Sequence, residues 1–293
     1  MVEREQIEEI INSILNQDIT ETDKCSSSSS GSGGGKKKPK KKPSKSKPKE
    51  LFEKFDKKNF QEEEYPYWQE AQAHPHRIGW DWKSPRGTLQ KIQHDLQWSE
   101  INKYDFSDFE IMRRWSTDIF RHLNSYLFGK EDCDGRQWTG KDTISFGGDE
   151  VSLKQCADML SKAIDKSPRL QENCVTYKLC PTDVLEKMEI GEAGKFDGFQ
   201  STSFNYTVCT KALQDQVGGW LKDGNGYRGS NRAMVRYYNM KGTKGVNIGE
   251  SVSCHDWQSE WLLDKNQPFV LVGKGMVDYD GQEIMTYDVL VYD

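Results

Sequence analysis

Residues 26–49 read SSSSSGSGGGKKKPKKKPSKSKPK, without one apolar side chain to bury. Such a stretch cannot offset the entropy of ordering itself, so it is expected to be disordered. Any hydrophobic core must therefore be built from the residues beyond it. The whole chain of 293 residues is only 34% hydrophobic and 30% charged, a lean mixture for a globular protein. Nine Trp, twelve Tyr and twelve Phe supply the bulk that a core still needs. The expected organisation is an amphipathic helix over 1–17, a Ser/Gly and Lys/Pro linker over 18–50, an extension over 51–99 and a main domain over 100–293.

The same stretch divides the charge. Residues 36–49 hold nine lysines and no acid. From Leu51 onward, 30 Lys and Arg face 38 Asp and Glu, a balance of −8. The chain thus reads as an acidic globule carrying a disordered basic N-terminal arm. Polybasic segments bind phosphates by releasing counterions, without sequence preference, so the arm's expected partner is anionic: a nucleic acid or a capsid surface. KKKPKKKP also fits a nuclear import signal, and a plain solubilising linker is the simpler alternative. Ahead of it, Ile7, Ile10, Ile11, Ile14 and Leu15 share one helical face, suited to docking or to folding back on the chain's own domain.

No run of 18 apolar residues exists, which excludes a membrane-spanning helix. MVEREQIEEIINSIL carries acids through its apolar positions and does not read as a signal peptide. Seven cysteines without a CxxC pair argue against a disulfide scaffold and a zinc site, and for a reducing, cytosol-type environment. His74, His76 and His94 lack a cysteine or carboxylate frame and read as surface histidines, so no metal is expected.

Beyond residue 100 the apolar spacing becomes regular. Ser107-Asp-Phe-Glu110 reads as a capping box opening a helix that repeats Ile111, Trp115, Ile119, Leu123 and Tyr126, with Gly129 as its stop. A second helix spans about 152–165, with Leu153, Cys156, Leu160, Ala163 and Ile164 on one face. Gly147-Gly-Asp-Glu150 ahead of it reads as a turn and helix cap. Short apolar runs at 174–180, 234–238, 269–277 and 284–292 read as strands, with a helix near 209–222 between them. Helices first and strands later define an α+β fold.

Four segments stand in a telling order: RHLNSYLFG (121–129), LSKAIDKSPRLQENCVTYK (160–178), FDGFQSTSF (196–204), and MKGTKGVNIG (240–249) leading into HDWQSEWLLDKNQPFVLV (255–272). This order resembles the mono-ADP-ribosyltransferase family of bacterial exoenzymes and toxins. That family's signature is a basic residue on an early strand, an S-T-S strand and a late [EQ]-x-E. The resemblance covers roughly residues 100–293. It implies a two-layer β core with surrounding helices, an NAD crevice, and transfer of ADP-ribose to a side chain of a target protein. NAD would be the substrate, with no metal needed. By the same resemblance, Q-x-E enzymes of the Rho-modifying kind modify asparagine and E-x-E enzymes arginine.

The chemistry can be stated without the family. Breaking the nicotinamide–ribose bond creates an oxocarbenium-like cation, which a carboxylate beside the ribose stabilises. Glu260 is the candidate. On an extended segment Gln258 points to the same side, free to address the acceptor, with Trp257 beside it. Ser201, Thr202 and Ser203 offer hydroxyls that donate and accept. The resemblance implies that Ser201 positions the glutamate and that Thr202, Ser203 and Phe204 wall the cofactor site. It also places a phosphate-gripping cation at Lys178. Here the chain departs from the family, which has arginine after the tyrosine; lysine is a point charge without the bidentate fork. Tyr227-Arg228-Gly229 resembles the missing motif but comes after S-T-S in the chain. Two other readings remain open: a catalytically degenerate binding module, and a virion-associated or packaged effector acting through its N-terminal arm. As an exoenzyme-like effector it would work in a host cytoplasm after delivery.

Overall fold

The computed structural model describes residues 46–62, 88–128, 143–146, 149–181, 183–204, 206, 232–248, 260–279 and 282–293. The N-terminal helix, most of the linker with its basic run, and the expected helix at 209–222 lie outside these residues. So do His74, His76, Arg228, Trp257 and Gln258.

Helix α1 (Ser46–Lys54) is succeeded by α2 (Thr88–Ser99) and α3 (Phe106–Arg114). A π-helical turn, Trp115–Ile119, joins α3 to α4 (Phe120–Phe128). A hairpin of β1 (Thr143–Phe146) and β2 (Asp149–Ser152) leads into α5 (Leu153–Lys166). Then come β3 (Cys174–Pro181), α6 (Asp183–Lys187), β4 (Ala193–Lys195) and β5 (Gln200–Ser203). Strands β6 (Arg232–Asn239), β7 (Gly245–Ile248), β8 (Glu260–Leu263), β9 (Pro268–Tyr279) and β10 (Gln282–Val291) complete the α+β fold.

Two helix starts differ from the sequence reading. The box that opens α3 uses Asp105 as its cap and Asp108 as its third residue, not Ser107 and Glu110. Lys166 explains the choice: its amine reaches both Asp105 and Asp108, so these acids are neutralised where they stand. Ahead of α5, Asp149 and Glu150 belong to a strand, and the cap is Ser152 with Gln155 closing a second box. Ser167 ends α5 in an extended conformation, as the ring of Pro168 requires of the residue before it.

The helix from Phe106 to Phe128 carries its apolar side chains at a four-residue interval. On a plain α-helix of about 3.6 residues per turn, that interval drifts around the axis. The wider π turn takes back part of the drift, and Ile111, Trp115, Ile119 and Leu123 are all buried in one cluster. That cluster joins them to the buried face of α5 and to Phe199, Val246, Ile248 and Leu262 from the sheet side.

Eight strands form one ladder in the order β4-β9-β10-β6-β3-β5-β8-β7, antiparallel except for β10 beside β6. β3 and β6 pair along the whole of both strands, from Cys174↔Asn239 to Pro181↔Arg232. β3 and β5, by contrast, share a single pair among the described residues, Tyr177↔Ser203. The ladder therefore falls into a five-stranded half and a three-stranded half joined at one point. A second buried cluster takes Phe204, Trp261 and Leu263 from one half and Val235, Tyr237, Leu271 and Val289 from the other. The two halves thus act as two strand layers over a shared core. A third cluster, with Val175, Tyr177 and Tyr238, lies on the outer face of the larger layer, where Phe55 and Phe60 meet Tyr238 edge-on.

Trp261 sets a condition on β7. A Cβ at Gly245 would overlap the indole ring, so only glycine lets that ring lie across the neighbouring strand.

Candidate active site

β8 is the strand EWLL, buried on both faces. Alternation sends Trp261 and Leu263 into the core between the layers and Leu262 into the cluster under α3, α4 and α5. Glu260 has the parity of Leu262, so its carboxylate faces the helical side. There it is 5% exposed, and the indole Nε1 of Trp115 donates to its Oε1 at 3.0 Å.

Register brings the S-T-S strand alongside. Ser203 pairs with Glu260 and Ser201 with Leu262, so the two serines share the glutamate's face. The Ser201 hydroxyl is close enough to the Glu260 carboxylate to favour its ionised form. Burial pushes the Glu260 carboxyl above its ordinary range; Ser201, Trp115 and the positive charge of Lys178 pull the other way.

Thr202 points to the opposite face and is buried. Its Oγ1 donates to the Trp261 carbonyl at 2.8 Å, tying β5 to β8 one residue beyond the glutamate. Phe204 is 1% exposed and packs on the Trp261 ring at 5.9 Å. Both support the strand that carries Glu260. Lys178 lies on β3 at the joint between the halves. Its Nζ donates to Gln200 Oε1 at 2.9 Å, an oxygen that also accepts from the Tyr237 hydroxyl at 3.3 Å.

The structure therefore brings Glu260, Ser201, Ser203 and Lys178 to one seam. Sequence reasoning missed Trp115 as a polar partner and Gln200 as the group that holds Lys178. His94 is a correction: it is buried and accepts from Trp98 Nε1 at 2.5 Å, so it is not a surface histidine. Among the described residues, no group of three His, Cys, Asp or Glu could hold a metal ion. Among them, no helix is long and apolar enough to cross a membrane.

No protein-family model and no curated protein sequence matches the chain. Solved structures do. Plx2a, an ADP-ribosyltransferase toxin from Paenibacillus larvae, superposes with a TM-score of 0.50 at 13% identity, over 70% of this chain and 96% of its own. C3stau2 from S. aureus, solved with NAD, matches at 0.45 and 13% identity, over 69% and 95%. Exoenzyme S from Pseudomonas aeruginosa, in complex with human 14-3-3 protein beta and bound to carba-NAD, matches at 0.42 and 15%, over 69% and 84%. The fold is that of the ADP-ribosyltransferase toxins, in line with the family that the sequence motifs resemble.

Proposed function

We propose that the chain is an NAD-dependent mono-ADP-ribosyltransferase that modifies a side chain of a target protein. The observation that carries this reading is the buried Glu260 carboxylate, fixed by the Trp115 indole and flanked by the S-T-S strand at the seam of a transferase fold. A buried carboxylate with fixed hydrogen bonds suits a cation that exists only in the transition state, because its position costs no reorganisation when the charge appears.

The residues present fit NAD. Glu260 would face the ribose as the bond to nicotinamide breaks and its electron pair leaves with nicotinamide. Ser201 would keep the carboxylate oriented, and Ser203 borders the same face. Lys178 supplies positive charge near the diphosphate while tied to Gln200. Gln258 would orient the acceptor, whose nucleophile attacks the sugar carbon and gives up its proton. Thr202 and Phe204 would act through β8, keeping the glutamate's strand in place.

Incubation with NAD labelled in its adenosine half, together with a cell lysate, tests the reading. The expected result is label covalently attached to protein and free nicotinamide released in step. If neither transfer nor slow NAD hydrolysis occurs, the proposal is wrong.

A further inference from the structure

Trp115 occupies an unusual position for a core tryptophan. It is 2% exposed, its ring meets Phe199 at 5.4 Å and Phe120 at 6.3 Å, and it opens the π turn. A buried indole N–H has one hydrogen to give and is costly to leave unpaired. Here it is given to Glu260 Oε1 across 145 positions of sequence. The π turn fixes where on the helix surface that donor sits; such turns recur at functional sites.

We propose that Trp115 is a positioning residue for the active site, holding the Glu260 carboxylate in the orientation that faces the ribose. This rests on the functional reading of Glu260 given above. The two neighbours divide the work. Ser201 flanks the carboxylate from the neighbouring strand, and Trp115 donates to it from the helix covering that strand. The carboxylate cannot turn its plane without breaking the Trp115 bond. Among the described residues, Lys178 on β3 is the charged group that acts on Glu260, and Ser201 and Trp115 are the neutral groups that favour its ionised form.

Two measurements on the full chain test this. The first tracks the indole N–H signals by NMR as pH is varied. One signal should titrate with Glu260 in the wild type and cease to titrate in Glu260→Gln. The Trp98 N–H, which goes to His94 and not to Glu260, serves as a control whose signal should behave alike in both. This measurement needs no substitution at Trp115 and no turnover. The second compares Trp115→Phe with wild type in NAD hydrolysis. Losing a donor to a charged group should raise the acid limb of the pH–rate profile by about one unit. It should also lower kcat at neutral pH about tenfold, with KM for NAD changed less than about twofold.

If no indole signal loses its titration in Glu260→Gln, the bond does not exist and the proposal fails. If Trp115→Phe only lowers the melting temperature and leaves the pH profile in place, Trp115 is filler and the positioning role is wrong. An indole signal that titrates with Glu260 in a chain without NAD turnover overturns the functional reading instead, and the positioning role with it, while the bond stands.

Discussion

Burial makes the Glu260 carboxyl reluctant to lose its proton, and Ser201, Trp115 and Lys178 oppose that reluctance without cancelling it. Two outcomes are expected at this residue. Glu260→Gln should lower turnover by roughly two to three orders of magnitude, the usual loss for one such electrostatic contact, with little change in NAD affinity. Stability should move the opposite way. A carboxyl whose pKa is raised by folding contributes stability that is complete below the unfolded value, about 4.3, and lost as pH rises through the folded one. The glutamine variant should therefore melt higher than wild type at neutral pH, and the difference should vanish below about pH 4. Thermal melts across pH read this directly. Lys178 gives a third test. Lys178→Ala should raise the KM for NAD more than it lowers kcat, as loss of uniform binding does. An unchanged KM with a lower melting temperature would assign Lys178 to bracing Gln200 alone. Glu260, Ser201 and Lys178 stood out in the sequence because hydroxyls and charges in a fixed order announce a chemistry, and the fold brings the three to one seam. Trp115 did not. At a four-residue apolar interval a tryptophan reads as core, and which acceptor its N–H finds is decided by a strand 145 positions away.

Among the secondary elements, the helix caps show how a local signal is overruled. The pattern S-x-x-E at 107–110 and the pattern D-x-x-D at 105–108 both describe a helix start. Only the second can also use the amine of Lys166 at the end of α5. The Ser107 hydroxyl, the Lys166 amine and the Asp108 backbone N–H together hold the Asp105 carboxyl down to about 2. The contribution of this group is present above the unfolded value, near 3.9, and is lost as pH falls toward the folded one. Asp105→Ala should accordingly lower stability at neutral pH by about 1 kcal/mol, the usual loss of an N-cap. That deficit should shrink progressively between roughly pH 4 and pH 2 in denaturant titrations. The strands were easier to read than the caps. The apolar runs at 174–180, 234–238, 269–277 and 284–292 fall on β3, β6, β9 and β10, whereas the short β4 and β7, which carry no such run, did not show themselves. Order in the sheet was not legible, since the pairing of β10 with β6 and of β5 with β8 is a property of packed faces.

For the whole molecule, Lys45–Asp293 is a compact unit in its own right. Its first helix is part of it: Lys47 donates to the Asp293 carbonyl, and its amine lies 5.3 Å from the Tyr292 ring. A chain begun at residue 45 should hydrolyse NAD like the full protein, whereas one begun at residue 55 should unfold at lower temperature; NAD consumption and thermal melts distinguish them. The joint between the sheet halves carries a mechanical consequence. β3 grips β6 along its full length but, among the described residues, pairs with β5 at Tyr177 and Ser203 only. Among the described residues that seam carries fewer ladder pairs than any other in the sheet, so it is where bending is expected, much as a book opens along its spine. The carboxylate beside that stitch is 5% exposed, so under the proposed function a sugar would reach it only if the spine gave. Compliance at one point would let such a site shut water out and still admit NAD.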